Sequence, residues 1–119
     1  MNIIKLTLPW PPSINHAKGI SNNKPYPKNA LKKFKEDVYV LVRDQYKGPV
    51  LGKSRLEMHI QAFTPDRRRR DLDNIQKVLI DAMQATGLFD DDEQIDYLSI
   101  LRCPRTKGGE VVVLIKEKN

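Results

Sequence analysis

Residues 56–87 change periodicity once, and that change decides the fold. Leu56-Glu57-Met58-His59-Ile60-Gln61-Ala62 alternates apolar with polar, the period of a half-buried strand, and Pro65 stops it. After Asp66 and four arginines the spacing lengthens. Ile75, Val78, Leu79, Ala82 and Met83 form the apolar stripe of an amphipathic helix, with Gly87 as its C-terminal cap. A strand running directly into a helix of this kind is half of a sheet-and-helix domain.

Working outward, Ile4, Leu6 and Leu8 alternate with Lys5 and Thr7 as a first strand, ended by Pro9. From Pro9 to Lys28 the chain is rich in Pro, Asn, Gly and Lys, which predicts a long loop. Leu31, Phe34, Val38, Leu41 and Gln45 then follow helical spacing, with Asn29 as the N-cap and Gly48-Pro49 as the stop. Past Gly87 comes an acidic turn, Asp90-Asp91-Asp92-Glu93, then a strand around Tyr97–Cys103. Pro104–Gly109 reads as a hairpin loop leading into a last strand, Val111–Ile115. The order β-α-β-α-β-β predicts an α+β fold, a single domain over 1–119. It has one mixed sheet of about four strands, with two main helices packed on a face.

The chain has 119 residues, 39% hydrophobic and 30% charged, as expected of a globular protein with one core. With 21 Lys and Arg against 15 Asp and Glu, its net charge of +6 favours a polyanionic partner such as nucleic acid. The single cysteine, Cys103, excludes an intrachain disulfide and a cysteine zinc cluster. No apolar stretch before Pro9 is long enough for a signal peptide or membrane span, so the expected setting is the cytoplasm, without a membrane partner.

Opposite charges stand side by side in Arg67-Arg68-Arg69-Arg70-Asp71-Leu72-Asp73-Asn74. Two readings of the acids are open. In one, Asp73 is a helix N-cap, because Asp73-Asn74-Ile75-Gln76 has capping-box spacing; this leaves Asp71 without a role. In the other, Asp71 to Asp73 is extended, so both carboxylates point the same way, roughly 6–7 Å apart at the backbone. They would then close on one hard cation, which takes oxygen ligands at about 2.0–2.6 Å. Lys77 lies one helical turn beyond Asp73 and off the apolar stripe. A cation makes acids compatible with a phosphate, and the arginines hold the backbone, so the composition suits a phosphodiesterase. An EF-hand is excluded, since its fifth, sixth and twelfth positions counted from Asp71 hold Ile75, Gln76 and Ala82.

Two acids rarely hold two metals, and a third carboxylate from Asp90–Glu93 is the natural supplement if that turn folds back. Asp81 makes an i,i+4 pair with Lys77. His16 and His59 lack partners at metal-ligand spacing and read as surface residues, and Trp10 reads as packing. Lys18, Lys24 and Lys28 would follow a DNA backbone or simply be solvated. No nucleophilic Ser or Cys arrangement and no phosphate-binding glycine loop is present.

Several stretches together resemble the RusA family of Holliday-junction resolvases. They are Pro65-Asp66-Arg67-Arg68-Arg69-Arg70-Asp71-Leu72-Asp73-Asn74, then Gln76-Lys77, Asp81-Ala82, Gly87, and Asp91-Asp92 with Gln94. Leu8-Pro9-Trp10-Pro11-Pro12-Ser13 and Thr106-Lys107-Gly108-Gly109 match as well. The resemblance implies a homodimeric crossover junction endonuclease, phage- or prophage-encoded, that needs magnesium or manganese and resolves four-way junction DNA by paired symmetric nicks in recombination and repair. It implies Asp71, Asp73 and Asp92 as catalytic metal ligands, Asp91 as accessory ligand, Lys77 as catalytic lysine, Arg70 as a DNA contact and Asn74 as support. Arg67, Arg68 and Arg69 join Arg70 and Asn74 as the DNA-binding set. The long loop departs from the family pattern in having Lys, Asn and Pro where aromatic and arginine residues are expected. Two rival readings stand beside this one: a non-catalytic binder of branched DNA, and a nuclease specific for flaps or other branches.

Overall fold

Four strands and two helices carry the described residues. They are β1 (Ile3–Leu8), α1 (Lys28–Gln45), β2 (Leu56–Phe63), α2 (Leu72–Ala85), β3 (Ile95–Cys103) and β4 (Glu110–Glu117), with a 3-10 turn at Asp92–Gln94 before β3. This computed structural model describes residues 3–12, 28–67 and 71–118. The expected α+β order is present. α1 begins at Lys28, which puts Asn29 inside the helix rather than at its cap. Most of the predicted 9–28 loop, with His16, Lys18 and Lys24, lies outside the described residues.

The strands lie in the order β1-β4-β2-β3. β4 is antiparallel to both β1 and β2, whereas β3 runs parallel to β2. Pro104–Gly109 is therefore not a hairpin, because β2 separates β3 from β4. The physical reason lies in burial. Val111, Val112, Val113 and Ile115 are all buried, so β4 needs a neighbour on each side and takes a central place. β3 exposes Asp96, Tyr97, Leu98, Leu101 and Arg102, and goes to the rim. The α2 crossover lays β3 alongside β2 in parallel.

The 104–109 segment instead crosses the end of β2. Thr106 N–H donates to the Thr64 carbonyl at 2.8 Å. Gly109, at φ 75°, passes so close that a Cβ there would stand 2.9 Å from the side chains of both Pro65 and Trp10. No L-residue with a side chain fits that crossing. It pins the chain at the point where it leaves β2 for the arginine run.

The core lies between the helices and one face of the sheet. Phe34, Val38 and Val42 of α1 join Val78, Leu79, Ala82 and Met83 of α2 over Leu6, Leu8, Met58, Ile60, Val113 and Ile115. Trp10 packs against this cluster, as its sequence context predicted. At the end of α1, Gln45 accepts from Thr7 N–H at 2.7 Å and donates to the Thr7 carbonyl at 2.8 Å, acting as a strand neighbour for β1.

Candidate active site

The segment after β2 carries the predicted basic approach. Arg67 is exposed, while Arg68, Arg69 and Arg70 lie outside the described residues. Asp71 is extended (φ −87°, ψ 127°) and is the N-cap of α2, with its side chain making no capping hydrogen bond. The helix begins at Leu72, in register with the Ile75 and Leu79 stripe. Asp73 therefore stands in the first turn. Two expectations are corrected here: Asp73 is not the N-cap, and Asp71 to Asp73 is not an extended pair. Both carboxylates are exposed and have no hydrogen-bonding or charged partner among the described residues. Asp73 gains from the helix dipole at this end. Asn74 is half-buried, and its N–H donates to the Asp71 carbonyl at 3.3 Å.

Asp73, Lys77, Asp81 and Gln84 follow i, i+4, i+8 and i+11, and so share one face of α2 opposite the buried Ile75, Val78, Leu79 and Ala82. Lys77 Nζ lies 3.8 Å from the Asp81 carboxylate, the i,i+4 pair that their spacing predicted. Lys77 is well exposed.

The acidic turn returns to this face. The Thr86 hydroxyl donates to the Met83 carbonyl, and Gly87 at φ 85° reverses the chain. Leu88 and Phe89 are buried. Leu51 N–H donates to the Leu88 carbonyl at 2.8 Å, and Asp90 N–H to the Gly52 carbonyl at 3.1 Å. Gln94, buried, holds the turn from inside. Its carbonyl oxygen accepts from the Asp90 and Asp91 N–H groups at 3.0 and 2.8 Å, and its amide donates to the Gly52 and Ser54 carbonyls at 2.9 and 2.6 Å. Asp91 accepts from Glu93 N–H, completing a capping box with Gln94. Asp92 N–H donates to Gln84 Oε1 at 3.1 Å. Arg55 closes the far side, bonded to the Glu93 carboxylate and carbonyl and to Asp96.

The electrostatics follow from this packing. A hydrogen bond shared with Asp91 raises the Asp92 pKa, as do burial and the charges of Asp91 and Asp81, while Lys77 opposes them. Asp91 is lowered, chiefly by the Glu93 N–H it accepts from. The two carboxyls thus make it harder for both to be charged at once, a cost that a cation between them would offset. Such a donor set fits a hard divalent ion. The fold brings Asp91, Asp92, Asp81 and Lys77 together. Asp73 stands two helical turns from Asp81, about 12 Å along the axis. Among the described residues no three of His, Cys, Asp and Glu are grouped tightly enough to hold one ion.

From Pro9 through Lys116 the chain matches the family model of endodeoxyribonuclease RusA. The chain belongs to the RusA family. Among its relatives, the crossover junction endodeoxyribonuclease of Enterobacteria phage HK97 is 38% identical over 117 residues, 98% of this chain and 97% of that protein. The enzymes of the same name from Escherichia coli and Enterobacteria phage 82 are each 34% identical over 117 residues, with the same shares covered.

The RusA match includes β2, α2, the acidic turn and the glycine crossing, so everything that positions the cluster lies inside it. Three positioning residues escaped the sequence reading of roles: Arg55, Gln84 and Gln94. Only Gln94 carried a local signal. Asp91-Asp92-Glu93-Gln94 has the same capping-box spacing as Asp73-Asn74-Ile75-Gln76, and of the two only Asp91–Gln94 is a capping box. His59 is also better partnered than expected, at 2.7 Å from Ser99 Oγ and 2.8 Å from Glu57 Oε2.

Proposed function

We propose that this endodeoxyribonuclease resolves four-way DNA junctions by paired symmetric nicks, acting as a magnesium-dependent homodimer in recombination and repair. The observation that carries the reading is the likeness, over 98% of the chain, to proteins named crossover junction endodeoxyribonucleases. The acidic turn folded against Lys77 supports it from the side of chemistry.

In this reading Asp71, Asp73 and Asp92 hold the magnesium, with Asp91 as accessory ligand, and manganese substitutes for it. The ion's contribution when bound is Lewis acidity toward a water and a phosphate oxygen. The chain's own residues do the rest. Arg67 to Arg70 hold the DNA backbone by charge-assisted hydrogen bonds, and Asn74 supports the same end of α2. Lys77 donates from its ammonium to the phosphate oxygen where charge develops, or to the leaving oxygen. Its partner Asp81 sits at the limit of an exposed ion pair, so little energy opposes that transfer of contact. Two copies are needed because one site cuts one strand and resolution takes two related cuts.

The reading places the protein in the cytoplasm of a cell carrying it on a phage or prophage. No described helix is long and apolar enough to cross a membrane.

The test is incubation with a mobile four-way junction, with magnesium or with chelator. Symmetric ligatable nicks that need magnesium are expected, and Asp73→Asn should bind the junction without cutting it. Nicks confined to flaps would assign a different branched-DNA nuclease. Binding without any cleavage would leave a non-catalytic junction binder.

A further inference from the structure

β3 forms one rim of the sheet, and among the described residues only β2 pairs with it. Rim strands expose unpaired backbone donors and acceptors, and proteins ordinarily blunt them with Lys, Pro, bulges or a covering group. β1, at the other rim, has Gln45 bonded to both backbone groups of Thr7. Among the described residues β3 has no Lys, no Pro and no backbone-capping side chain from Tyr97 to Cys103, where Arg102 is its one charge, and its one register shift lies before Tyr97. It is also apolar where it should be polar. Of seven large apolar residues exposed among those described, three fall within five positions of β3: Tyr97 at 53%, Leu98 at 36% and Leu101 at 61%.

The strand is complementary to itself. An antiparallel pairing centred on Ser99 sets Tyr97 opposite Leu101 and Leu98 opposite Ile100, each twice. The register with β2 puts Tyr97, Ser99 and Leu101 on the face away from the helices, and Leu98 and Ile100 with Met58 and Ile60 on the helix face. Every cross-pair therefore joins like with like on one face.

We propose that β3 pairs with β3 of a second copy, antiparallel about Ser99, to make one eight-stranded sheet. The inference rests on the homodimer reading above and adds where the copies meet. Its two-fold axis stands normal to the sheet, so both α2 helices and both acidic turns lie on one face. The Ile95 residues of the two copies are about 27 Å apart along the strand direction. Two cutting sites would then face a single junction from one side.

Sedimentation velocity over a concentration series tests the pairing. Wild type should be a dimer, and Tyr97→Lys with Leu101→Lys should shift it to the 13.7 kDa monomer by placing like charges opposite each other. Tyr97→Glu with Leu101→Lys puts opposite charges at the same pairs and should restore the dimer. A Lys/Lys variant that stays dimeric, or a Glu/Lys variant as dissociated as Lys/Lys, overturns the proposal. So does a monomeric wild type.

Ser99→Cys gives a readout independent of charge. Residues directly opposite in an antiparallel pair lie about 4.5–5.5 Å apart at Cα, within disulfide range. Mild oxidation should yield a covalent dimer with Ser99→Cys and none with Val40→Cys on α1. Failure to cross-link in a dimeric protein overturns this pairing alone. A cross-linked dimer that never nicks a junction overturns the nuclease reading and leaves the pairing intact.

Discussion

The backbone N–H of Asp92 donates to the side-chain oxygen of Gln84 at 3.1 Å. Gln84 is three residues beyond Asp81 on the polar face of α2, so this one bond ties the acidic turn to the helix that carries Lys77. Among the described residues, the turn's other bonds to the 51–55 segment are those of Asp90, Glu93 and Gln94 with Gly52, Lys53, Ser54 and Arg55. Gln84→Leu should leave junction binding unchanged and lower stability by no more than about 1 kcal/mol, the usual net worth of a hydrogen bond. Cleavage should fall roughly 100-fold if the turn drifts by an ångström. Single-turnover cleavage beside a binding titration separates these effects.

Gln94 is the more structural of the two amides. It is 4% exposed, and its replacement by Leu takes the side-chain partner from the Asp91 N–H and the Ser54 carbonyl, while the Asp90 N–H and the Gly52 carbonyl keep each other. Unsatisfied buried groups cost about 1–3 kcal/mol each, although water reaching the loosened turn recovers part of that. Gln94→Leu should thus be destabilised by about 2–4 kcal/mol in urea unfolding. Gln94→Glu, which keeps the acceptor and loses the donor, should fall between it and wild type.

Asp71 separates capping from chemistry. Replacing a bonded N-cap by Ala typically costs about 1 kcal/mol, but the Asp71 side chain makes no cap bond. Asp71→Ala should therefore change stability by less than about 0.5 kcal/mol. In the proposed metal role the same change should reduce cleavage by about 100-fold or more. Parallel unfolding and cleavage measurements decide it: a large stability loss with cleavage intact would return Asp71 to a purely structural role.

Acid stability should depend on Arg55. Its hydrogen bonds hold Asp96 below the usual carboxylate range, with Lys118 helping, and Arg55 itself is kept charged. A depressed folded-state pKa contributes stability above the unfolded value, near 3.9, and loses it as pH falls through the folded value. The urea midpoint should therefore drop on acidification below about pH 4. In Arg55→Met that drop should be shallower, since Asp96 would titrate closer to its unfolded value. Equal slopes for the two proteins would mean that the pair makes no difference between folded and unfolded chains.

Much of this molecule was legible from local pattern. β1, β2 and α2 show in the alternation of Leu6 and Leu8, in that of Met58 and Ile60, and in the Ile75–Met83 stripe, because each buries one face. The Lys77–Asp81 pair is equally local, set by helix geometry alone. The strand order was less visible, although β4 carries a clue. Val111-Val112-Val113-Leu114-Ile115 is apolar without alternation, the mark of a strand covered on both sides. A short link between β3 and β4 suggested a hairpin, and burial of β4 between β1 and β2 overrode it.

By itself, then, the sequence determined the elements, the family and the residues able to carry the chemistry, since periodicity, caps and motif spacing are short-range properties. Only the tertiary structure decided which of those residues meet. Both Asp-x-x-Gln segments satisfy the spacing of a capping box. One is not a box because Leu72 starts the helix early, and the other forms because Gln94 finds two carbonyls about forty residues away in Gly52 and Ser54. Asp92 comes to Lys77 and Asp81 through that long-range contact and the Gln84 bond, which depend on how α2 and the 51–55 segment pack on the sheet.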